Sequence, residues 1–266
     1  MSLKDLIEEY TARGKSTFTR AEALEDSGLS ESAFHKATSR LQKKSRLYQP
    51  RQGFFVIVRP EYWSRSAPPP SYYVDHLMQY LGEPYYVGVL TAAKLHGAAH
   101  HTPQEFQVIV NSQLRNIEKE GKRIRFLKNK DLDVVPLEQK KVPTGYFQVS
   151  TPEATLVDVV YYRKYAAGLD NVANILIELA KSDRLEPSKL FEAAVNMHDM
   201  ATVQRLGYML DRFGFKLLYE PLEKWVKKQE PTRIPLLPGT DRYSGGHDKK
   251  WNVLVNSGIE PDVFVG

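Results

Sequence analysis

Cysteine is absent from the 266 residues. That excludes disulfides, zinc fingers, iron–sulfur clusters and cysteine nucleophiles. Long apolar runs are absent too, since no stretch approaches the roughly 20 apolar residues of a membrane span. The opening MSLKDLIEEY places acids where a signal peptide needs an apolar core. The expectation is a soluble cytoplasmic protein with no membrane partner. There is no Walker A loop, no GxGxxG fingerprint and no GxSxG elbow. The reading therefore assigns no catalytic residue, no cofactor and no metal, and takes the protein not to be an enzyme.

What is present is a core-forming chain with an uneven charge. Hydrophobic residues make up 42%, enough for a packed core, and the net charge is +5. The first 70 residues hold 12 Lys and Arg against 8 Asp and Glu, or +4, so nearly all the excess sits in the first quarter. From His35 to Arg51 there are six basic residues and no acid. A face built only for solubility mixes both signs, so a run of one sign points to a polyanion.

The local patterning explains what carries this charge. Residues 3–13 predict a helix with Leu3, Leu6, Ile7 and Tyr10 on one face, stopped by Gly14. Ser16–Thr19 reads as a short extended piece. Thr19 and Glu22 are spaced as a capping box for a second helix over about 20–26. Gly28 suits a tight turn, and Ser30 caps a third helix. Phe34, Ala37, Thr38 and Leu41 give that helix a buried stripe. Its other face carries Ser32, His35, Lys36, Ser39, Arg40 and Lys43. Leu47–Gln49 and Phe54–Val58 flank Pro50-Arg51-Gln52-Gly53, a hairpin with glycine at the turn. Helix, helix, turn, helix and hairpin is the order of a winged helix-turn-helix. His35, Ser39 and Arg40 are expected to read base edges, and Lys36, Lys43, Lys44 and Arg51 to hold phosphates of double-stranded DNA. The competing readings are a solvated helix face and a winged helix used for protein contacts.

Three consecutive prolines in PEYWSRSAPPPS read as a stiff extended linker over residues 60–71, separating a DNA-binding domain at 1–59 from a larger one at 72–266. In the larger part Tyr86–Gly97 reads as a helix. Strands are expected at 105–110, 123–127, 132–137 and 145–149. Thr151-Pro152-Glu153 opens a helix to about Tyr165. Further helices are expected near 171–181, 187–196 and 200–212. Beyond residue 229 little regular pattern is legible except at 252–255. The fold class is thus α+β: a winged helix-turn-helix followed by a mixed α/β domain with a small sheet and a helical second half. Lys122, Arg123, Arg125 and Lys128 offer a possible second basic surface. His96, His100 and His101 cluster, but Gly97 interrupts them and no HExxH follows, so they read as cap and packing residues. Asp131 and Asp133 would share a strand face and could hold Mg²⁺ in an enzyme that modifies a toxin or a nucleic acid, the alternative function. The Gly-Gly of Tyr243–His247 is a weak phosphate-turn signal.

YYVGVLTAAKLHGAAHHTPQEFQVIV (Tyr85–Val110) resembles the signature of the AbiEi antitoxins of type IV toxin–antitoxin and abortive-infection systems, and STPEATLVDVVYY (Ser150–Tyr162) is similar to that family's downstream helix. His101–Pro103 departs slightly from the family's Gln-Thr-Pro. The resemblance spans roughly residues 1–215. It implies a repressor that binds promoter inverted repeats of its own operon. It also implies an antitoxin that neutralises an AbiEii-like nucleotidyltransferase toxin without a stable complex, in phage defence. No site residue is carried over from it.

Overall fold

The computed structural model describes residues 1–98, 103–182, 184–197, 199–240 and 246–262. The chain opens with α1 (Leu3–Ala12), β1 (Thr17–Thr19), α2 (Arg20–Ser27), α3 (Glu31–Lys43), β2 (Leu47–Arg51) and β3 (Phe54–Ile57). It continues through α4 (Val74–Leu81), β4 (Tyr85–Val87), α5 (Val89–Leu95), β5 (Phe106–Val110), β6 (Ile117–Lys119), β7 (Lys122–Lys128), β8 (Leu137–Val142) and β9 (Gly145–Ser150). The helical second half is α6 (Pro152–Tyr161), α7 (Leu169–Lys181), α8 (Pro187–Met197), α9 (Met200–Arg212) and α10 (Lys216–Gln229), followed by β10 (Ile234–Pro235), β11 (His247–Asp248) and β12 (Val253–Leu254). The α+β class expected from the patterning is the one observed. No helix among the described residues is long and apolar enough to cross a membrane.

Three sheets form. One is β1-β3-β2, one is β10-β12-β11, and the largest runs β6-β7-β5-β4-β9-β8. In the largest, β5 and β7 pair in parallel from Phe106↔Ile124 to Val110↔Lys128, whereas β6 and β7 are an antiparallel hairpin. The residues group into two compact units. The first takes Met1–Tyr86, Gln104–Lys130 and Gln139–Gln148; the second takes Val87–Pro103, Asp131–Glu138 and Val149–Gly266.

In the first unit the helix caps appear where the sequence places them. Thr19 and Glu22 bond reciprocally, the backbone N–H of Thr19 reaching Glu22 Oε2 at 2.6 Å and that of Glu22 reaching Thr19 Oγ1 at 3.2 Å. Gly28 stops α2 at φ +66°, a conformation that suits glycine. The core of the three helices and their sheet gathers Leu3, Leu6, Tyr10, Phe18, Ala23, Phe34, Leu47, Phe55 and Ile57. Phe18 stacks on Phe55 at 5.3 Å between centroids, and Phe34 meets the same ring edge-on at 5.6 Å. Such pairs add about 1 kcal/mol each beyond their buried area. The Tyr10 hydroxyl donates to Asp26, and burial together with that carboxylate raises its phenol.

The proline-rich stretch differs from the extended linker expected of it. Pro60–Arg65 and Pro70–Tyr72 are 3₁₀ turns, and both lie inside the first unit. Proline at the start of each turn supplies the φ that a helical turn needs and lacks only an N–H that would be unpaired there. Trp63 fixes the first turn: its indole donates to the Val58 carbonyl at 2.9 Å, and the Arg46 guanidinium lies over its ring at 3.1 Å. Two further expectations are corrected. Tyr86–Gly97 is not one helix but β4, the Gly88 turn and α5. Leu132–Leu137 is not a strand; a 3₁₀ turn at Leu132–Val134 precedes β8.

The second unit is built on α6, which is buried from Glu153 to Val160 and capped by Thr151 accepting from the Ala154 N–H at 3.3 Å. Its C-terminal strap is held by polar anchors on α9. Gln204 Nε2 donates to the carbonyls of Thr232 at 3.0 Å and Trp251 at 2.9 Å. Arg205 donates to the Pro235 carbonyl from Nε at 3.2 Å and Nη2 at 3.0 Å; burial, then the neighbouring Arg163 charge, bring its guanidinium down to about 10. Asn256 spans the strap with bonds to both Leu237 backbone groups and to the Thr240 carbonyl.

Lys250 sits 2.9 Å from Asp211 and 3.2 Å from Glu223. Burial works against ionised Asp211, but hydrogen bonds from Trp251 and Lys250 outweigh it and hold the carboxyl low; Lys227 and Lys250 do the same for Glu223. A carboxyl held low stabilises the fold above its unfolded value, about 4, and that contribution disappears as pH falls through the folded value. Stability of the second unit is therefore expected to drop in acid below about pH 4, and Lys250→Met should flatten that drop. Urea unfolding followed at pH 7, 4 and 3 checks it.

Candidate nucleic-acid interface

Helix α3 begins where Ser30 Oγ accepts from the Ala33 N–H at 3.3 Å, and it buries Phe34 and Thr38. At about 100° per residue, His35, Ser39 and Gln42 then turn to one flank and Lys36 and Arg40 to the other, with Ser32 and Lys43 between. Ser32, His35, Lys36, Arg40, Lys43 and Lys44 are all exposed, and Ser39 is half-buried. The structure thus leaves every predicted helix residue on the outward side, and among the described residues no carboxylate forms an ion pair with any of them.

The first flank faces a groove of about 610 Å³. His35, Thr38, Ser39, Gln42 and Lys43 form one wall, and the hairpin residues Gln49, Gln52 and Gly53 form another. Arg20 and Glu31 form an ion pair at its rim. Gln42 Nε2 donates across the groove to Gln49 Oε1 at 3.4 Å. The glutamines were missed in the sequence because they carry no charge to mark them. Their amides are nonetheless the side chains best suited to paired donor–acceptor recognition of adenine.

The hairpin itself is not a free wing. Strands β2 and β3 pair through Leu47↔Ile57, Tyr48↔Val56 and Arg51↔Phe54, with a register shift between Tyr48 and Arg51. Tyr80 on α4 donates to the Gln52 carbonyl at 2.9 Å and packs on Phe54 at 5.4 Å. Gly53 has φ +80°, and a Cβ there would stand 2.5 Å from the Tyr80 hydroxyl. On the other side Lys119 Nζ donates to the Gln49 carbonyl at 3.0 Å. Burial of Tyr48, whose hydroxyl reaches the Lys119 carbonyl at 3.4 Å, pushes its phenol up to about 12.

Arg51 has a partner that its place in the sequence did not reveal. Its guanidinium donates to the Arg115 carbonyl and lies 5.7 Å from the Phe126 ring, so it helps to pin the hairpin. Two of the four residues of the expected second basic surface are matched by acids. Arg123 pairs with Glu118 at 2.9 Å, and Arg125 makes a two-pronged pair with Glu105, one prong at 2.8 Å. That pair keeps the Glu105 carboxyl below its ordinary range. Lys122 is half-buried, and burial followed by the nearby Arg65 lowers its ammonium. Lys128 remains exposed.

His96 is buried at the end of α5, its Nε2 2.8 Å from the Ser150 carbonyl oxygen, and Arg184 donates to the His96 carbonyl at 2.9 Å. His100 and His101 lie outside the described residues, as do Tyr243–Gly245. Asp131 and Asp133 are exposed, Asp131 just before and Asp133 within the 3₁₀ turn, instead of sharing a strand face. Among the described residues no three His, Asp or Glu side chains gather as a metal site.

Comparison with known proteins bears on the rest. The crystal structure of the RV2827C protein from Mycobacterium tuberculosis superposes with a TM-score of 0.67 at 13% identity, over 93% of this chain and 89% of that one, so the two share a fold. No curated protein sequence matches the chain. The family model for the AbiEi antitoxin C-terminal domain matches residues 86–212. Residues 86–212 are thus similar to the C-terminal domain of the AbiEi antitoxins.

Proposed function

We propose that the protein is the DNA-binding antitoxin of a toxin–antitoxin operon, repressing its own promoter through α3 and neutralising a nucleotidyltransferase-like toxin without a stable complex. The match of residues 86–212 to the AbiEi antitoxin C-terminal domain supports the antitoxin role. The observation that carries the DNA reading is α3 itself. It buries one stripe and leaves Ser32, His35, Lys36, Arg40 and Lys43 exposed, with Lys44 at its cap, while its exposed acid, Glu31 in the first turn, is paired with Arg20. In this reading His35, Ser39 and Arg40 contact base edges while Lys36, Lys43 and Lys44 hold phosphates and set the register. The compact unit that contains α3 is then the DNA-binding body, with residues 60–71 inside it. The protein acts in the cytoplasm, where its DNA and toxin are.

The test is a gel-shift titration of the full chain on the DNA just upstream of its own gene, against a scrambled duplex, at two salt concentrations. Tight, selective, salt-sensitive binding is expected. Equal, weak binding to both duplexes would sink the repressor reading. Arg40→Ala is expected to lower binding to the preferred duplex by about 1–3 kcal/mol while sparing the scrambled one. Equal loss on both would make Arg40 a phosphate contact instead.

A further inference from the structure

The groove beside α3 has a third wall. Strands β6 and β7 pair up to Lys119↔Lys122, so their turn consists of Glu120 and Gly121 alone. Both have positive φ, +49° and +68°, as a two-residue type I′ turn requires. Asn-Gly or Gly-Gly is the favoured pair there, because a longer side chain is strained in the left-handed region. Here the first position holds glutamate. Its side chain is exposed and lines the same groove as His35, Ser39, Gln42, Lys43 and Gln49. The Lys119 bond to the Gln49 carbonyl ties this turn to the wing, so the acid is carried at a set place beside the helix.

An ionised carboxylate in such a groove has a narrow use. It can only accept hydrogen bonds, and it repels phosphates. On the major-groove edges of base pairs the donors are the exocyclic amino groups of cytosine and adenine; guanine and thymine offer acceptors at the matching positions. We propose that Glu120 is a specificity-determining residue, accepting from cytosine N4 or adenine N6 and penalising any duplex that offers an acceptor or a phosphate there. The strained turn and the placement in the groove are separate observations, and both are explained if glutamate is kept for its carboxylate. This inference rests on the DNA-binding reading above.

The experiment is selection of bound sequences from a randomised duplex library with the full chain, run for the wild type, Glu120→Gln and Glu120→Asn, with melting temperatures recorded for each. The wild type is expected to enrich a motif with cytosine or adenine at one fixed position per half-site. Glu120→Gln should lose that preference by about fivefold or more and bind a random duplex more tightly. Glu120→Asn should relax the same position while melting about 2 °C higher as the turn strain is relieved. If both variants enrich the wild-type motif unchanged, the inference about Glu120 is overturned and the DNA-binding reading stands. If the wild type binds no duplex, the DNA-binding reading fails and takes this inference with it.

Discussion

Gly207→Ala is expected to destabilise the second unit by about 3 kcal/mol, a large effect for one methyl group. Gly207 lies in the buried stretch of α9 against the indole of Trp251, and a Cβ built there would stand 2.0 Å from Cζ3 and 2.3 Å from Cη2. Real side-chain atoms do not approach so closely, so helix or ring must shift. The ring has little freedom. Trp251 is fully buried, its indole N–H donates to Asp211 at 2.9 Å, and its backbone N–H donates to Asp248 at 2.9 Å. Removing the indole separates steric conflict from any other cause. Trp251→Ala alone should cost about 3–5 kcal/mol through the cavity it opens. With that space vacant, adding Gly207→Ala should become mildly stabilising, because alanine outranks glycine in a helix by about 1 kcal/mol. Denaturant unfolding of the four variants measures the cycle. A second substitution that costs as much in the Trp251→Ala background as alone would show that the close approach is not the reason for glycine.

Replacing Lys36, Lys43 and Lys44 together by alanine should weaken binding to a random duplex by about a hundredfold or more at 0.1 M salt. All three ammonium groups project from one exposed face of α3 or its cap. Each phosphate neutralised releases close to one counterion, so the slope of log affinity against log salt should become shallower by between two and three. The melting temperature should barely move, because exposed lysines contribute little to folding. Fluorescence anisotropy at several salt concentrations reads both quantities. An unchanged slope would place the DNA elsewhere on the protein. Arg51→Ala offers a contrast. Its guanidinium is spent on the Arg115 carbonyl, so its loss should act through the position of the hairpin instead of through a phosphate.

The sequence was most legible where structure depends on near neighbours. The capping box at Thr19 and Glu22, the stripe of Phe34 and Thr38, the Gly28 stop and the Thr151 cap all depend on residues within four positions of one another. The same locality explains the errors. Arg51 read as a projecting cation because its acceptor, the Arg115 carbonyl, is 64 residues away. Arg123 and Arg125 read as a basic face because periodicity places them together but does not reveal Glu118 and Glu105 opposite. The 3₁₀ turns at residues 60–72 were hidden because proline fits both an extended chain and the first position of a helical turn. Helix α10 was not announced because Pro221 falls inside it and Phe213-Gly214-Phe215 precedes it. Of the groove, the sequence showed the helix wall and not the other two. Gln49, Gln52 and Glu120 become site residues only through pairing between segments distant in the chain.

The anchoring of the hairpin limits how such proteins can be recombined. Tyr80 and Lys119 donate to the carbonyls of Gln52 and Gln49, the Arg51 side chain donates to the Arg115 carbonyl, and two of these three partners lie within the residues that match the antitoxin domain. A genetic exchange that replaced only the first sixty residues would bring in a new α3 with a hairpin shaped for other partners. On the proposed DNA-binding reading, changes of sequence preference are therefore expected to proceed by point substitution along α3 and the β6–β7 turn, or by inheriting the N-terminal segment together with residues to about 130, and not by swapping heads at the prolines.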